Sequence, residues 1–286
     1  MGILHQISDR LQNWITPESS ENEMLNLLKE YKSSIAEHSI PSKEDSERFG
    51  EITEEIRMYF EKLIPNYGTK PILNLKSNLD AVRYYYFNIL GYKGLIKYCY
   101  SKISVKQIKN RELTEEMKVI LAHVSDAQQN ICYDTTTILI YLRICYDDLA
   151  LIIRNTSEVN YPNAKKFPNS MSRLLGIDET TKVVKGNKWE TQWKEYKNKK
   201  YCNRLYKLIV PSFTKILKMR DAIVHLQQQI SIYMNNENYF FYTKITENQF
   251  HNLEEIEQQI KMIKTILQVV DIQYNLMKRN EKLPLQ

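Results

Sequence analysis

The sequence predicts an all-α protein, a helical bundle with one small β-hairpin insert near 230–244. Three observations carry that expectation. Residues 72–161 contain no proline. Apolar and aromatic side chains recur through that stretch at helical spacing. Glycine is scarce, with seven in 286 residues, and their positions form neither GxGxxG nor GxxxxGK[ST]. Those cradles need glycine where a backbone approaches phosphates, so the common nucleotide-binding folds are excluded. With 43% apolar and 26% charged residues, the chain can bury a sizeable core and is not compositionally disordered.

Taken in order, Asn22–His38 and Lys43–Ile64 read as two amphipathic helices separated by a break at Pro41. Asn78–Ile103 and Leu113–Asn155 read as long helices. The second starts at Thr114, with Glu115 and Glu116 in a first turn that favours acids. The run 155–188 has two prolines and two glycines and reads as a long loop with one short helix at Ser170–Leu175. Trp189–Val210 is helical, and Pro211 is expected to open a new helix at its first turn. Ile230–Met234 and Tyr239–Thr243 flank Asn235–Asn238 in hairpin fashion. Thr246 is expected to cap a last helix that reaches about Lys278. Residues 1–70 are expected to form an N-terminal helical extension and 71–286 the main helical domain.

The compartment expected is a reducing cytosol. The longest apolar runs are broken by Arg143, Asp147 and Asp148, well short of the ~20 residues a span needs. The opening MGILHQISDRLQNW lacks a secretory n-region and h-region, and Gln6 stands where a myristoylation motif takes Ser or Thr. Cys99, Cys132, Cys145 and Cys202 have no CxxC spacing and read as buried free thiols. No histidine sits in an HxH or HExxH context, so no metal site and no cofactor are expected. His123 and the run Tyr84–Tyr86 read as core. On the helix 131–155 the apolar stripe is Ile131, Ile138, Leu142, Cys145, Leu149 and Ile152. Asp134 falls within its arc and Asp148 at its edge, whereas Arg143 and Asp147 read as an outward-facing i,i+4 pair.

Charge is unevenly placed. The net charge is +6, yet Lys182–Arg220 holds twelve basic residues against Glu190 and Glu195, which leaves the remaining chain at −4. Within this segment Lys194, Lys197, Lys199, Lys200, Arg204 and Lys218 accompany the flat faces of Trp189 and Trp193. Cations release counterions from a phosphate backbone and indole rings stack on unpaired bases, so these residues are the expected RNA-binding surface.

That segment leads into Pro211-Ser-Phe-Thr-Lys-Ile-Leu-Lys-Met-Arg220-Asp-Ala-Ile-Val-His225. At 100° per residue Arg220 falls inside the stripe formed by Phe213, Ile216, Leu217 and Val224. A guanidinium there cannot be discharged and requires an anionic partner. An acidic side chain (Asp134 or Asp148), a substrate phosphate or another subunit would each serve. Asp221 and His225 are i,i+4 neighbours, so the carboxylate can orient the imidazole and favour its charged form.

Met219-Arg-Asp-Ala-Ile-Val-His225 resembles the R-[polar]-x3-H signature of HEPN-domain proteins (higher eukaryote and prokaryote nucleotide-binding), with Asp221 where Asn is commonest. The motif covers six residues, and the helical architecture supports the resemblance from about 75 to 286. The resemblance implies a helical bundle that dimerises, acts as a metal-independent endoribonuclease in toxin, abortive-infection or antiviral-defence systems, and is paired with an antitoxin or another defence-system protein. It implies catalytic roles for Arg220, Asp221 and His225 in a dimeric cleft: the ribose 2′-OH attacks the adjacent phosphate, His225 moves the proton and Arg220 neutralises the developing charge. Two other readings stay open: a non-catalytic HEPN-like module that binds RNA or nucleotide, and a helical protein-interaction subunit in which Arg220 stitches an interface.

Overall fold

The computed structural model describes residues 40–67, 69–102, 114–158, 170–178, 199–224, 230–235, 238–243 and 250–280. These are predominantly helical: α1 (Lys43–Tyr67), α2 (Thr69–Ser101), α3 (Glu115–Glu158), α4 (Met171–Leu175), α5 (Lys199–Val224) and α6 (Leu253–Asn280). Between α5 and α6 lie three short antiparallel strands, β1 (Ile230–Asn235), β2 (Asn238–Thr243) and β3 (Phe250–Asn252), in the order β1-β2-β3, with Ile230 opposite Thr243 and Phe241 opposite His251. The expected helix at 22–38 lies outside the described residues.

The helices α2 and α3 form the long spine of the bundle. The start of α3 follows its sequence signal, since the Met117 amide donates to Thr114 Oγ1 at 3.2 Å and satisfies one orphan donor of the first turn. The two helices run antiparallel, because partners on α2 move toward its N-terminus as those on α3 advance. Asn88 meets Asp134, Tyr85 stacks on Tyr141 at 6.1 Å, and Asn78 meets Asp148. Their buried stripe, including Ile138, Leu142, Cys145, Leu149 and Ile152, forms one core with Phe49, Ile56 and Phe60 of α1, Leu205, Ile209 and Phe213 of α5, and Ile260, Ile263 and Ile266 of α6.

The helix α6 is tied to its neighbours by polar side chains as well as apolar ones. Glu255 pairs with Lys215 of α5. Buried Glu257 accepts from Arg48 Nη2 of α1 and from the Tyr86 hydroxyl of α2, each at 2.8 Å. Gln259 Oε1 accepts from the Tyr146 hydroxyl of α3 at 3.0 Å. Successive positions two apart on a helix point to nearly opposite sides, so one turn and a half of α6 grips four other helices.

Several boundaries differ from the sequence expectation. α2 begins at Thr69 rather than Asn78. Pro71 falls in its first turn, where the missing amide has no helical partner to lose. Pro211 opens no new helix: α5 runs continuously through it from Lys199 to Val224. The carbonyl orphaned by the proline belongs to Lys207, and both residues are exposed, so water can take it. On the opposite side Leu205, Ile209, Phe213, Ile216 and Leu217 are buried without interruption. That packing outweighs the ~3 kcal/mol helix penalty of an interior proline. The last helix starts at Leu253 instead of Thr246, because Phe250–Asn252 pair with β2. Of the tyrosines read as core, Tyr86 is buried but Tyr84 is exposed.

Candidate functional site

Arg220 lies four residues before the end of α5 and is half-buried, just beyond the buried stripe that runs from Leu205 to Leu217. Asp221 lies on the same turn, but its side chain and the whole of His225 are outside the described residues, as are Trp189, Trp193, Lys194 and Lys197. Lys199 and Lys200 open α5, with side chains outside the described residues. The part of the basic segment that is described shows a clear division of labour on α5. Its exposed positions are Arg204, Lys207, Pro211 and Lys218, three of them cationic. Lys215, by contrast, turns inward to Glu255, and burial lowers its ammonium pKa although a carboxylate faces it.

Among the described residues the buried arginine is Arg143 of α3, read from the sequence as surface decoration. Its Nη2 donates to Ser172 Oγ at 3.1 Å, its guanidinium pairs with Asp147, and its planar face lies 4.8 Å from the Phe213 ring centroid of α5. Asp147 has a second task. Its Oδ1 accepts the Met171 amide at 2.8 Å and so caps the N-terminus of α4, whose own N-cap residue Ser170 makes no side-chain cap. The other end of α4 closes on Gly176 at φ 65°, with Ile177 N donating to Ser172 O at 2.8 Å. A left-handed residue here favours glycine. The helical wheel missed this node because α4 packs over that flank of α3, and no signal within α3 announces a five-residue helix 24 residues downstream.

Neither acid proposed as the partner of Arg220 meets it. Asp148 is buried and accepts from Asn78 Nδ2 at 2.7 Å. Asp134 is half-buried beside Asn88. Both face α2. Burial disfavours their ionised forms, and each carboxyl is pushed up to about 6 despite the asparagine that opposes the shift. A carboxyl whose folded pKa exceeds its unfolded one stabilises the fold when protonated. That advantage fades as pH rises from about 4 to about 6 and is absent above. Asn at position 148 keeps the acceptor for Asn78 without the charge. Asp148→Asn is therefore expected to stabilise the protein by ~1–2 kcal/mol at pH 7.5 and by much less at pH 4.5. Urea unfolding of both proteins at the two pH values measures it, and an equal effect at both would refute the burial explanation.

Other candidate groups are quiet. His123 is buried, and its Nε2 has no hydrogen-bond partner among the described residues. Burial lowers its pKa, with Asp126 opposing, so it is held neutral. Cys99, Cys132 and Cys145 are free thiols. Burial pushes Cys99 and Cys132 up to about 11 and holds Cys145 well above the ordinary thiol value, which removes them as nucleophiles near neutrality. Among the described residues no group of three or more His, Cys, Asp or Glu is placed to hold a metal ion, and no helix is long and apolar enough to cross a membrane. What the described geometry offers is a half-buried guanidinium at the end of a helix whose outward side is cationic, an arrangement suited to an anionic polymer. No family model, no curated protein and no solved structure matches the chain.

Proposed function

We propose that the chain is a metal-independent endoribonuclease of the HEPN type, working as a homodimer in the cytosol of a cell whose toxin or antiviral-defence system it serves. The observation that carries the reading is the position of Arg220: half-buried four residues before the end of α5, five residues before His225, on a helix whose exposed side presents Arg204, Lys207 and Lys218. In this reading the cations hold the RNA backbone, with Lys194, Lys197, Lys199, Lys200, Trp189 and Trp193 extending the track. The 2′-oxygen attacks phosphorus and displaces the 5′-oxygen, leaving a 2′,3′-cyclic phosphate and a 5′-hydroxyl. His225 carries the proton, Asp221 orients the imidazole, and Arg220 neutralises charge on the phosphoryl oxygens. A partner protein of the same system would restrain the activity.

Incubation of the full-length protein with total RNA in EDTA, resolved on a denaturing gel, tests the reading. Cleavage that survives chelation and ends in cyclic phosphate supports it. Retention of RNA without cleavage favours the non-catalytic binding module, and no effect on RNA leaves the protein-interaction subunit. The basic track makes a separate prediction. Changing Arg204, Lys207 and Lys218 to Glu is expected to lower the slope of log affinity against log salt for single-stranded RNA by about 2, or ~0.7 per lost phosphate contact. Fluorescence anisotropy across a salt series reads that slope, and an unchanged slope would remove this face of α5 from the RNA contact.

A further inference from the structure

Helix surfaces that meet water normally carry charged residues, yet one face of this bundle is almost free of them. On α2 no charged residue occurs from Tyr84 to Tyr92, and on α3 the only one from Ala127 to Leu142 is Asp134. Asp134 is half-buried and hydrogen-bonded with Asn88. The antiparallel packing of the two helices lays these runs side by side. Four large apolar side chains nevertheless stand out from this face: Tyr84 is 63% exposed, Tyr133 61%, and Ile140 and Ile144 39% each. Tyr133, Ile140 and Ile144 fall within an arc of about 40° on α3. The hydroxyls among them are satisfied locally. Thr136 and Thr137 donate to the carbonyls of Cys132 and Tyr133 at 2.8 and 2.9 Å, and the Tyr133 hydroxyl accepts from Gln129.

The register of the two helices fixes how these side chains stand. Tyr85 stacks on Tyr141. Tyr84 lies about 100° back from Tyr85 around α2, and Ile140 about 100° back from Tyr141 around α3. In an antiparallel pair, equal turns of the same sense bring both side chains out on the same side of the seam. Tyr84 therefore stands level with the gap between Ile140 and Ile144. The helix α5 packs elsewhere: its Phe213 meets Tyr146 at 5.3 Å, roughly 120–160° round α3 from the exposed line.

The chemistry of the face selects its occupant. Without cations it offers a nucleic acid no counterion release. Without charge of either sign it suits a second copy of this chain. Two chains of net charge +6 repel each other where their surfaces are cationic, and here they meet without that repulsion. Tyrosine enrichment with charge depletion is also the composition of an interface core. Taking each exposed tyrosine as roughly 120 Å², the face opens on the order of 600 Å², against ~800 Å² per partner in a standard interface. That area fits a reversible association rather than a permanent one.

We propose that two copies of this chain associate through the α2–α3 face, with Tyr84 of each copy seated between Ile140 and Ile144 of the other. A two-fold axis parallel to the helices, lying in the plane of contact, produces this pairing. It lays α2 of one copy antiparallel on α3 of the other at unchanged height, as in a four-helix bundle. The contact lies on the side of α3 away from Tyr146 and α5, so it is separate from the dimeric cleft of the ribonuclease reading. It does not rest on that reading: particle mass decides the one and RNA cleavage the other.

Sedimentation equilibrium of the full-length chain tests it. Association is expected with a Kd on the order of 10 μM, and raising the salt should not weaken it, because no charges are paired. Tyr84→Lys and Ile140→Glu should each weaken it at least tenfold. Leu276→Lys, on an exposed position of α6, should leave it unchanged. Where the Arg220 ends pair as well, the two face variants halve the particle instead of reducing it to single chains. A Tyr84→Cys chain mixed with an Ile144→Cys chain and oxidised should give a covalent dimer in far higher yield than either chain alone. A chain that stays monomeric at roughly 200 μM, well above that Kd, would overturn the proposal. So would an association that neither face variant weakens, that Leu276→Lys weakens equally, or that salt dissolves. Weakening by the face variants without the mixed crosslink would overturn the pairing of Tyr84 with Ile140 and Ile144.

Discussion

Arg143→Ala is expected to lower the unfolding free energy by ~3 kcal/mol, toward the lower end of what breaking a buried ion pair does. The loss has three sources. The guanidinium leaves Asp147 without its cation, Ser172 Oγ without its donor, and the Phe213 ring without the planar face at 4.8 Å. Asp147 is one-third exposed, so water rehydrates its carboxylate and keeps the penalty from reaching the upper end. Asp147→Asn should be milder, near 1 kcal/mol, because its side-chain oxygen still accepts the Met171 amide and preserves the cap on α4. Arg143→Met refills the volume and should recover part of the packing over Phe213. Urea unfolding of the three variants, of Asp147→Ala and of Arg143→Ala/Asp147→Ala gives the coupling directly, and non-additivity is expected because the residues share partners. An Arg143→Ala protein within 0.5 kcal/mol of the parent would show that this node holds nothing together.

Arg220→Ala and His225→Ala are each expected to reduce RNA cleavage about a thousandfold, if the proposed chemistry holds. Positioned acid–base catalysis typically supplies 10²–10⁴-fold, and loss of a donor to a developing oxyanion 10²–10³-fold. Arg220→Lys is the informative companion. It keeps the charge but loses the planar fork that grips two phosphoryl oxygens, so it should retain RNA affinity while cleavage stays far below the parent rate. A purely structural Arg220 would give the opposite pattern, with Lys tolerated and Ala lowering stability and every RNA property together. Single-turnover cleavage rates, measured beside unfolding curves, separate the two.

How much of this was legible beforehand depends on the distance over which each feature is decided. The cap of α3 is local: Thr114 and Met117 are three residues apart, and their bond forms as expected. The apolar stripe from Ile131 to Ile152 is equally local, since 3.6-residue periodicity on one helix selects the buried side, and all six of its members are buried. The short helix after the long loop was visible in its composition, at Ser170–Leu175 against the observed Met171–Leu175. Pro211 misled, because the penalty of a proline is fixed by its own ring while the packing that outweighs it comes from other helices; Pro71 carries no such penalty in the first turn of α2. The candidate catalytic triplet was placed by sequence on a late helix, and Arg220 is half-buried there; its partner histidine lies outside the described residues.

The sequence by itself determined that the chain is built of long helices, which stripe of α3 turns inward, and where the positive charge gathers. These follow from spacing along a single helix and from composition, which no neighbour alters. Only the tertiary structure decided which polar side chains are buried. Asp147 reaches Met171 24 residues away, Tyr86 reaches Glu257 across 171, and Arg143 lies against Phe213 on another helix. A helical wheel orders side chains around their own axis, but burial is set by whatever packs against that axis. Here a five-residue helix covers the flank of α3 and turns a surface ion pair into an internal one.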